Sequence, residues 1–245
     1  MKTLPTPDPA HGLFETLLVL DGEPVALGAH LERLGAGLAA VFGAELPAGL
    51  AEEIGARARG LELGRMRIDV DPCGAATLAT RTVDPLTFFP AQERGARLRS
   101  VRCPGGLGPH KWADRRPLDE TPAGPVLLLL DEGEEVLEAS RGNVFAIVGQ
   151  ALFTPAADGR ILPGTARAAA IEVAAEAGIE VRQGRLRRDD LLGADGAFVT
   201  GSVRGVEPVR TLDDVPLPVC GEPARLVAAG LRRRWRTGRL AAARS

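Results

Sequence analysis

The sequence predicts an α+β protein of two lobes, and three observations predict it. Paired apolar runs around glycine-containing turns recur along the chain, which signals hairpins and not alternating βαβ units. Only a few segments carry helical periodicity. The pattern changes after Gly105 to Pro109, a stretch with the composition of a linker. The expected division is a small N-terminal domain at 1–104, a linker at 105–110 and a larger domain at 111–245.

Each element follows from its local pattern. FETLLVLDGEPVAL (Phe14 to Leu27) holds two apolar runs around Asp21-Gly22, a hairpin. Leu31, Leu34, Leu38 and Val41 or Phe42 then recur at helical spacing, and Gly43 ends that helix. RMRIDVD and TLATRTVD pair as strands, and LRSVRCP is a further strand. Beyond the linker a short helix is expected from Trp112. PVLLLLDEGEEVLEAS turns at Glu132-Gly133, and NVFAIVGQALFTP turns at Gly149-Gln150. ILPGTARAAAIEVAAEAGIEV reads as loop, helix (Thr165 to Ala177), stop at Gly178, and strand. RDDLLGA is a short helix and GAFVTGSVRGVEPVRTL is strand, loop, strand. A helix from Pro223 to about Trp235 closes the chain.

Composition narrows the function. Hydrophobic residues make up 45% and charged residues 25%, enough for an ordinary core. A net charge of −2 gives no field that favours nucleic acid or membrane as a partner. The arginines of LRRRWRTGR read as cations at a helix C-terminus. Cys73, Cys103 and Cys220 are odd in number, and His11, His30 and His110 do not cluster, so neither a disulfide framework nor a metal site is expected. MKTLPTPDPAHG lacks the apolar core of a signal peptide, and the run Val126 to Leu130 is too short to cross a bilayer. A cytoplasmic location is the expectation.

One residue stands apart. Of 30 basic residues, only Lys2 and Lys111 are lysine; the rest are arginine. An amine can act as a nucleophile and form a Schiff base, and a guanidinium cannot. Lys111 is therefore the first candidate for chemistry. Gly164 and Thr165 open a helix whose first N–H groups suit an anion. Thr200, Gly201 and Ser202 form a small-residue loop at a strand end, a second source of donors. Glu138 ends an apolar strand, where it is either exposed or placed to hold a cationic heterocycle nitrogen. No G-x-x-x-x-G-K-[ST], H-E-x-x-H or G-x-S-x-G motif occurs.

Taken in order, F-E-T, H-L-E-R-L, a lone Lys, L-E-A-S-R-G-N-V-F, L-P-G-T-A-R and T-G-S-V-R-G-V-x-P-V resemble the class IV aminotransferase family. These are fold-type IV enzymes of pyridoxal 5'-phosphate, and they include branched-chain aminotransferases, D-amino acid aminotransferases and aminodeoxychorismate lyase. The likeness runs from Phe14 to Val209. It implies the two-lobed fold-type IV architecture, that cofactor, a small-molecule amino substrate and a homodimer. It makes Lys111 the Schiff-base lysine and the base that moves protons. It gives Glu138 the pyridine nitrogen, and it gives the phosphate to the N–H groups of Thr165 and Ala166, the Ser202 hydroxyl and a bidentate Arg33. Thr16 of F-E-T matches the proton donor of the lyases. Arg67 and Arg204 are candidates for substrate carboxylates.

The chain departs from the family pattern in three places. Thr165-Ala166 stands where relatives carry Ile-Thr, which removes one hydroxyl. The chain has no tyrosine, and K-W-A-D-R-R follows the K-x-x-x-R run of the lyases. Ala10, His11 and Gly12 replace Y-G-D-G before F-E-T. The lyase is therefore the expected activity, with a branched-chain or D-amino acid transaminase as the alternative and a non-catalytic holder of the cofactor behind both.

Overall fold

LFETLLVL is apolar on both faces and carries one charge, the composition of a central strand. It forms β1 (Leu13–Leu20), which turns through Asp21 and Gly22, both at positive φ, into β2 (Glu23–Pro24). The computed structural model describes residues 1–118 and 124–242, with backbone alone for 238–242. α1 (Leu27–Phe42) follows and stops at Gly43, which takes the left-handed conformation at φ 65°. α2 (Leu50–Ala58) was not anticipated; Leu50, Ile54 and Ala58 recur every fourth residue and are its buried stripe. β3 (Leu63–Val70) and β4 (Ala76–Thr82) complete an antiparallel sheet of order β2-β1-β3-β4.

The period of two divides this sheet cleanly. Leu13, Leu17 and Val19 of β1 and Met66, Ile68 and Val70 of β3 pack with Leu34, Leu38, Leu50 and Ile54 of the helices. Phe14 and Thr16, with their cross-strand partners Asp69 and Arg67, lie on the opposite face.

The second sheet is larger and mixed. Its strands are β5 (Ala96–Arg102), β6 (Val126–Leu130), β7 (Val136–Ala139), β8 (Asn143–Val148), β9 (Ala151–Pro155), β10 (Val181–Gly184), β11 (Gly196–Gly201), β12 (Gly205–Leu212) and β13 (Val215–Pro216). They run in the order β10-β9-β8-β11-β12-β5-β6-β7, with β13 on β12. α3 (Thr165–Glu176), α4 (Arg188–Leu192) and α5 (Glu222–Ala242) complete it, and α5 runs past the expected end at Trp235. The expected hairpins β6–β7, β8–β9 and β11–β12 are present. Three pairings are parallel: β9 with β10 across α3, β12 with β5, and β5 with β6. The first is a strand-helix-strand crossover among what are mostly the expected antiparallel hairpins. Phe145 and Phe198, paired across β8 and β11, stack at 4.9 Å in the core.

The chain divides into two compact units, but not at 105–110. The smaller comprises Pro7–Phe88, His110–Arg116 and the residues from Arg233, and the larger comprises Met1–Thr6, Phe89–Pro109 and Pro117–Arg232. Met1–Thr6 belong to the larger unit through the Thr3–Arg102 bridge, and Phe89–Pro109 because β5 pairs with β6 and β12. Residues 110–116 go the other way because Phe14 N–H donates to the Lys111 carbonyl at 2.9 Å and Ala113 N–H to the Gly12 carbonyl at 3.0 Å. The expected helix at Trp112 is therefore absent; Trp112 forms an antiparallel bridge with Leu13. The stretch 105–109 is tied down rather than a loose linker. Gly105 N–H bonds Asp131 at 2.9 Å and Gly108 N–H bonds the Arg160 carbonyl at 3.2 Å.

Candidate active site

In the smaller unit, Lys111 sits in three residues that extend along the edge of β1 and alternate like a strand. Trp112 packs on the core cluster and His110 meets it edge-on at 5.7 Å. A Cβ on Gly37 of α1 would crowd Leu13 Cδ1 at 2.8 Å and touch His110 Nδ1 at 3.4 Å, so the helix passes close to this segment. Lys111 then faces the other way, its Nζ 4.9 Å from the Phe14 ring centroid. The guanidiniums of Arg67 and Arg115 meet the same ring at 4.0 Å and 5.6 Å. Asp69 clasps Arg67 through Nε at 2.7 Å.

The turn after Lys111 is fixed by Asp114, which is 5% exposed. Its carboxylate accepts from Asp8 N–H at 2.9 Å and from Arg116 Nε at 2.8 Å. The Arg116 hydrogen bond holds it well below the usual carboxylate range.

Behind β1 lies a residue that sequence reasoning passed over. Glu15 is 1% exposed, on the core face of an apolar strand. Its carboxylate receives Arg33 Nε at 2.7 Å and Nη2 at 2.8 Å, and His30 Nδ1 lies 2.8 Å away. Burial alone would raise its pKa. The His30 and Arg33 hydrogen bonds, the Arg33 charge and the Lys111 charge outweigh burial and lower it to about 2. The bidentate contact expected of Arg33 is thus made, but to Glu15. His30 and Arg33 lie one helical turn apart on α1, which is the signal that could have pointed to a shared partner. Thr16, the neighbouring candidate, is half-buried opposite Arg67 on the Phe14 face.

In the larger unit the other candidates gather around the start of α3. The helix is capped by Gly164 with no side-chain hydrogen bond, so Thr165 is its first residue and not its cap. Helix geometry leaves the first N–H groups, from Thr165 onward, outside the helix's own ladder. The Thr165 hydroxyl instead meets Ser202 Oγ at 3.1 Å. Ala166 is buried behind it. Asn143, the first residue of β8, is 3% exposed and donates to the Leu162 carbonyl at 3.0 Å. A Cβ on Gly164 would overlap the Asn143 carboxamide oxygen. Arg167 is also buried and ties α3 to both neighbouring strands, through the Pro155 carbonyl at 2.7 Å and Gln183 at 2.9 Å. Glu138 is 7% exposed, and Leu162 N–H approaches both its oxygens at 3.4 Å.

These donor sets fit pyridoxal phosphate. A glycine-capped helix start beside two hydroxyls suits a phosphate dianion. A buried carboxylate suits a protonated ring nitrogen. Lys111 supplies the one amine placed beside an aromatic ring in the smaller unit. No helix among the described residues is long and apolar enough to cross a membrane.

Known proteins resemble this chain in sequence and in fold. Residues 109–212 match the amino-transferase class IV family. A segment of 88 residues is 38% identical to the branched-chain-amino-acid aminotransferase of Escherichia coli, covering 36% of this chain and only 28% of that enzyme's length. The fold matches the fold IV-transaminase of Curtobacterium pusillum with a TM-score of 0.73 at 23% identity, over 96% of this chain and 91% of that one. It matches the 4-amino-4-deoxychorismate lyase of Pseudomonas aeruginosa with a TM-score of 0.71 at 26% identity, over 91% of each. The matched segment holds Lys111, Glu138, Thr165 and Ser202, so the stretch that carries these candidates is similar to the class IV aminotransferases, and the fold is that of the fold-type IV enzymes.

Proposed function

We propose that the protein is an aminodeoxychorismate lyase, which releases pyruvate and 4-aminobenzoate. The observation that carries this reading is the Phe14 face. Lys111, Arg67 and Arg115 share one ring, in a chain without tyrosine. Two guanidiniums beside the amine suit a substrate that carries two carboxylates. The likeness to the Pseudomonas aeruginosa lyase supports it. The likeness to the Escherichia coli aminotransferase favours a second reading, a transaminase of branched-chain amino acids, with D-amino acids as its other substrate class on the family resemblance.

When bound, pyridoxal phosphate supplies an aldehyde that captures amines and a ring that withdraws electrons from the carbon beside nitrogen. Lys111 removes the proton from that carbon. Thr16 gives a proton to the departing enolpyruvyl group, which leaves as pyruvate while the ring becomes aromatic. Glu138 holds the ring nitrogen protonated. The N–H groups of Thr165 and Ala166 and the Ser202 hydroxyl hold the phosphate, with Arg33, aligned by Glu15, as its cation. The same reading makes the protein a cytoplasmic homodimer, and a sedimentation mass of one chain would count against that.

The test follows pyruvate and 4-aminobenzoate from aminodeoxychorismate. Both should appear in equal amounts, and Lys111→Ala should reduce the rate by roughly a thousandfold or more, as expected when a residue that both bonds the substrate's carrier and moves its protons is lost. Formation of glutamate from 2-oxoglutarate and a branched-chain or D-amino acid, with no 4-aminobenzoate, would establish the transaminase instead.

A further inference from the structure

Arg167 is held by hydrogen bonds without a counter-charge. It is the third residue of α3 and 5% exposed, deeper than charged side chains ordinarily lie. Its Nη2 donates to the Pro155 carbonyl of β9 at 2.7 Å and to Gln183 Oε1 of β10 at 2.9 Å, and both acceptors are neutral. Nε is buried without a hydrogen-bond partner. Burial pushes the guanidinium below the ordinary arginine range. No carboxylate pairs with it among the described residues.

Buried charges are ordinarily paired, because taking a charge out of water costs more than a few neutral hydrogen bonds return. This one also sits where the local field opposes it. A helix start carries positive partial charge, which favours an anion and disfavours a cation. The Arg167 N–H itself precedes the first ladder bond, which runs from Ala168 N–H to the Gly164 carbonyl at 2.9 Å. A Cβ on Gly164 would lie 3.4 Å from the Arg167 Cβ, so the arginine leaves the helix beside its cap. An apolar side chain of similar volume would fill the same space without the electrostatic cost. An anion bound at this helix start removes that cost.

We propose that Arg167 is a positioning charge, a buried guanidinium that the fold leaves unbalanced and that a phosphate dianion at the start of α3 balances, so that the seat selects the phosphorylated cofactor over its unphosphorylated form. The inference rests on the reading that the start of α3 seats the cofactor's phosphate, and it is the same for a lyase and for a transaminase. Nε is enclosed, so the charge acts through space and not as a ligand. A phosphate monoester brings about 1.5 to 2 negative charges, and pyridoxal, the same ring without phosphate, brings none.

The test measures the affinity of the apoprotein for pyridoxal phosphate and for pyridoxal by absorbance titration, with thermal melting alongside. The ratio of the two affinities reads the phosphate alone. Arg167→Gln removes the charge and leaves an amide for the Pro155 carbonyl, and it should cut the ratio about fivefold or more. Gln183→Glu sets a carboxylate against the guanidinium. It should raise the melting temperature and also cut the ratio, because the charge is then balanced within the fold. A lower melting temperature in Arg167→Gln with an unchanged ratio is the outcome of a purely structural arginine and would overturn the proposal. If Arg167→Gln does not fold, Gln183→Glu decides, and an unchanged ratio there overturns it. A wild-type protein that binds pyridoxal as tightly as pyridoxal phosphate would overturn the phosphate seat itself, and the proposal with it. Activity enters none of these readouts, so a failed lyase assay and a failed role for Arg167 remain distinct.

Discussion

Around Lys111 the smaller unit builds with charged side chains; around Thr165 the larger unit builds with backbone and small residues. The first cluster is Glu15, His30 and Arg33 behind the strand, with Lys111, Arg67 and Arg115 in front of it. The second is a glycine-capped helix start, two hydroxyls and glycines with no space for a Cβ. The difference predicts how each fails. A charged cluster in a buried strand loses stability when one partner is neutralised, and that loss follows pH. A backbone seat is insensitive to pH and fails when atoms are added.

The largest effect expected in this comparison is at Glu15. Its carboxyl has a pKa of about 2 in the folded protein against an ordinary value of 4.5. Because the folded value is the lower one, the stabilisation is fully present above about pH 4.5 and is lost as pH falls toward 2. A difference of that size corresponds to about 3 kcal/mol. Glu15→Gln keeps the shape and removes the charge. It should lower the urea midpoint at pH 7 and flatten the decline of stability between pH 4.5 and 2. If wild type and variant lose stability in parallel across that window, the smaller unit is not held by this charge and the contrast fails.

The two regions were also unequally legible. The larger unit's seat was readable because a helix start is a local event: LPGT followed by an alanine-rich run marks it within a few residues. The helix begins at Thr165 as expected, with Gly164 as its cap and the Thr165 hydroxyl at Ser202. Parallel pairing of β5 with β6 and β12 was not legible, because no local pattern records which distant strand lies alongside. In the smaller unit, α1 and the strands showed their periods. Arg33 alone reads as an exposed helix residue; its role depends on Glu15, 18 positions away. The helix expected at Trp112 gave way to an extended bridge because both Gly12 and Phe14 offer that stretch backbone partners.

A smaller effect tests the other half of the comparison. In Gly164→Ala the new methyl must displace the Asn143 carboxamide, which is buried and bonded to the Leu162 carbonyl. Overpacking of this kind costs roughly 1–3 kcal/mol. The variant should melt earlier and bind pyridoxal phosphate more weakly, and the loss should be the same at pH 5 and pH 8. Gly28→Ala in α1, where nothing lies within 4 Å of a Cβ, is the control and should be neutral or slightly stabilising. Equal behaviour of the two variants would show that the seat has slack.

The smallest effect probes the departure at Ala166. Relatives place a hydroxyl there, and this chain has a methyl, 5% exposed, at the second position of α3. Ala166→Thr adds one hydrogen bond toward a bound phosphate, worth about 0.5–1.5 kcal/mol net. It also costs up to about 0.7 kcal/mol in helix propensity. The propensity cost applies with and without the cofactor, so it lowers stability slightly, while the hydrogen bond raises pyridoxal phosphate affinity by roughly two- to tenfold, measured by thermal melting and absorbance titration. A gain of that size would mean that the backbone carries most of the seat and the family's hydroxyl only trims it. A loss would mean that the Thr165–Ser202 pair already fills the space, and that this chain closes its anion seat differently from relatives with Ile-Thr.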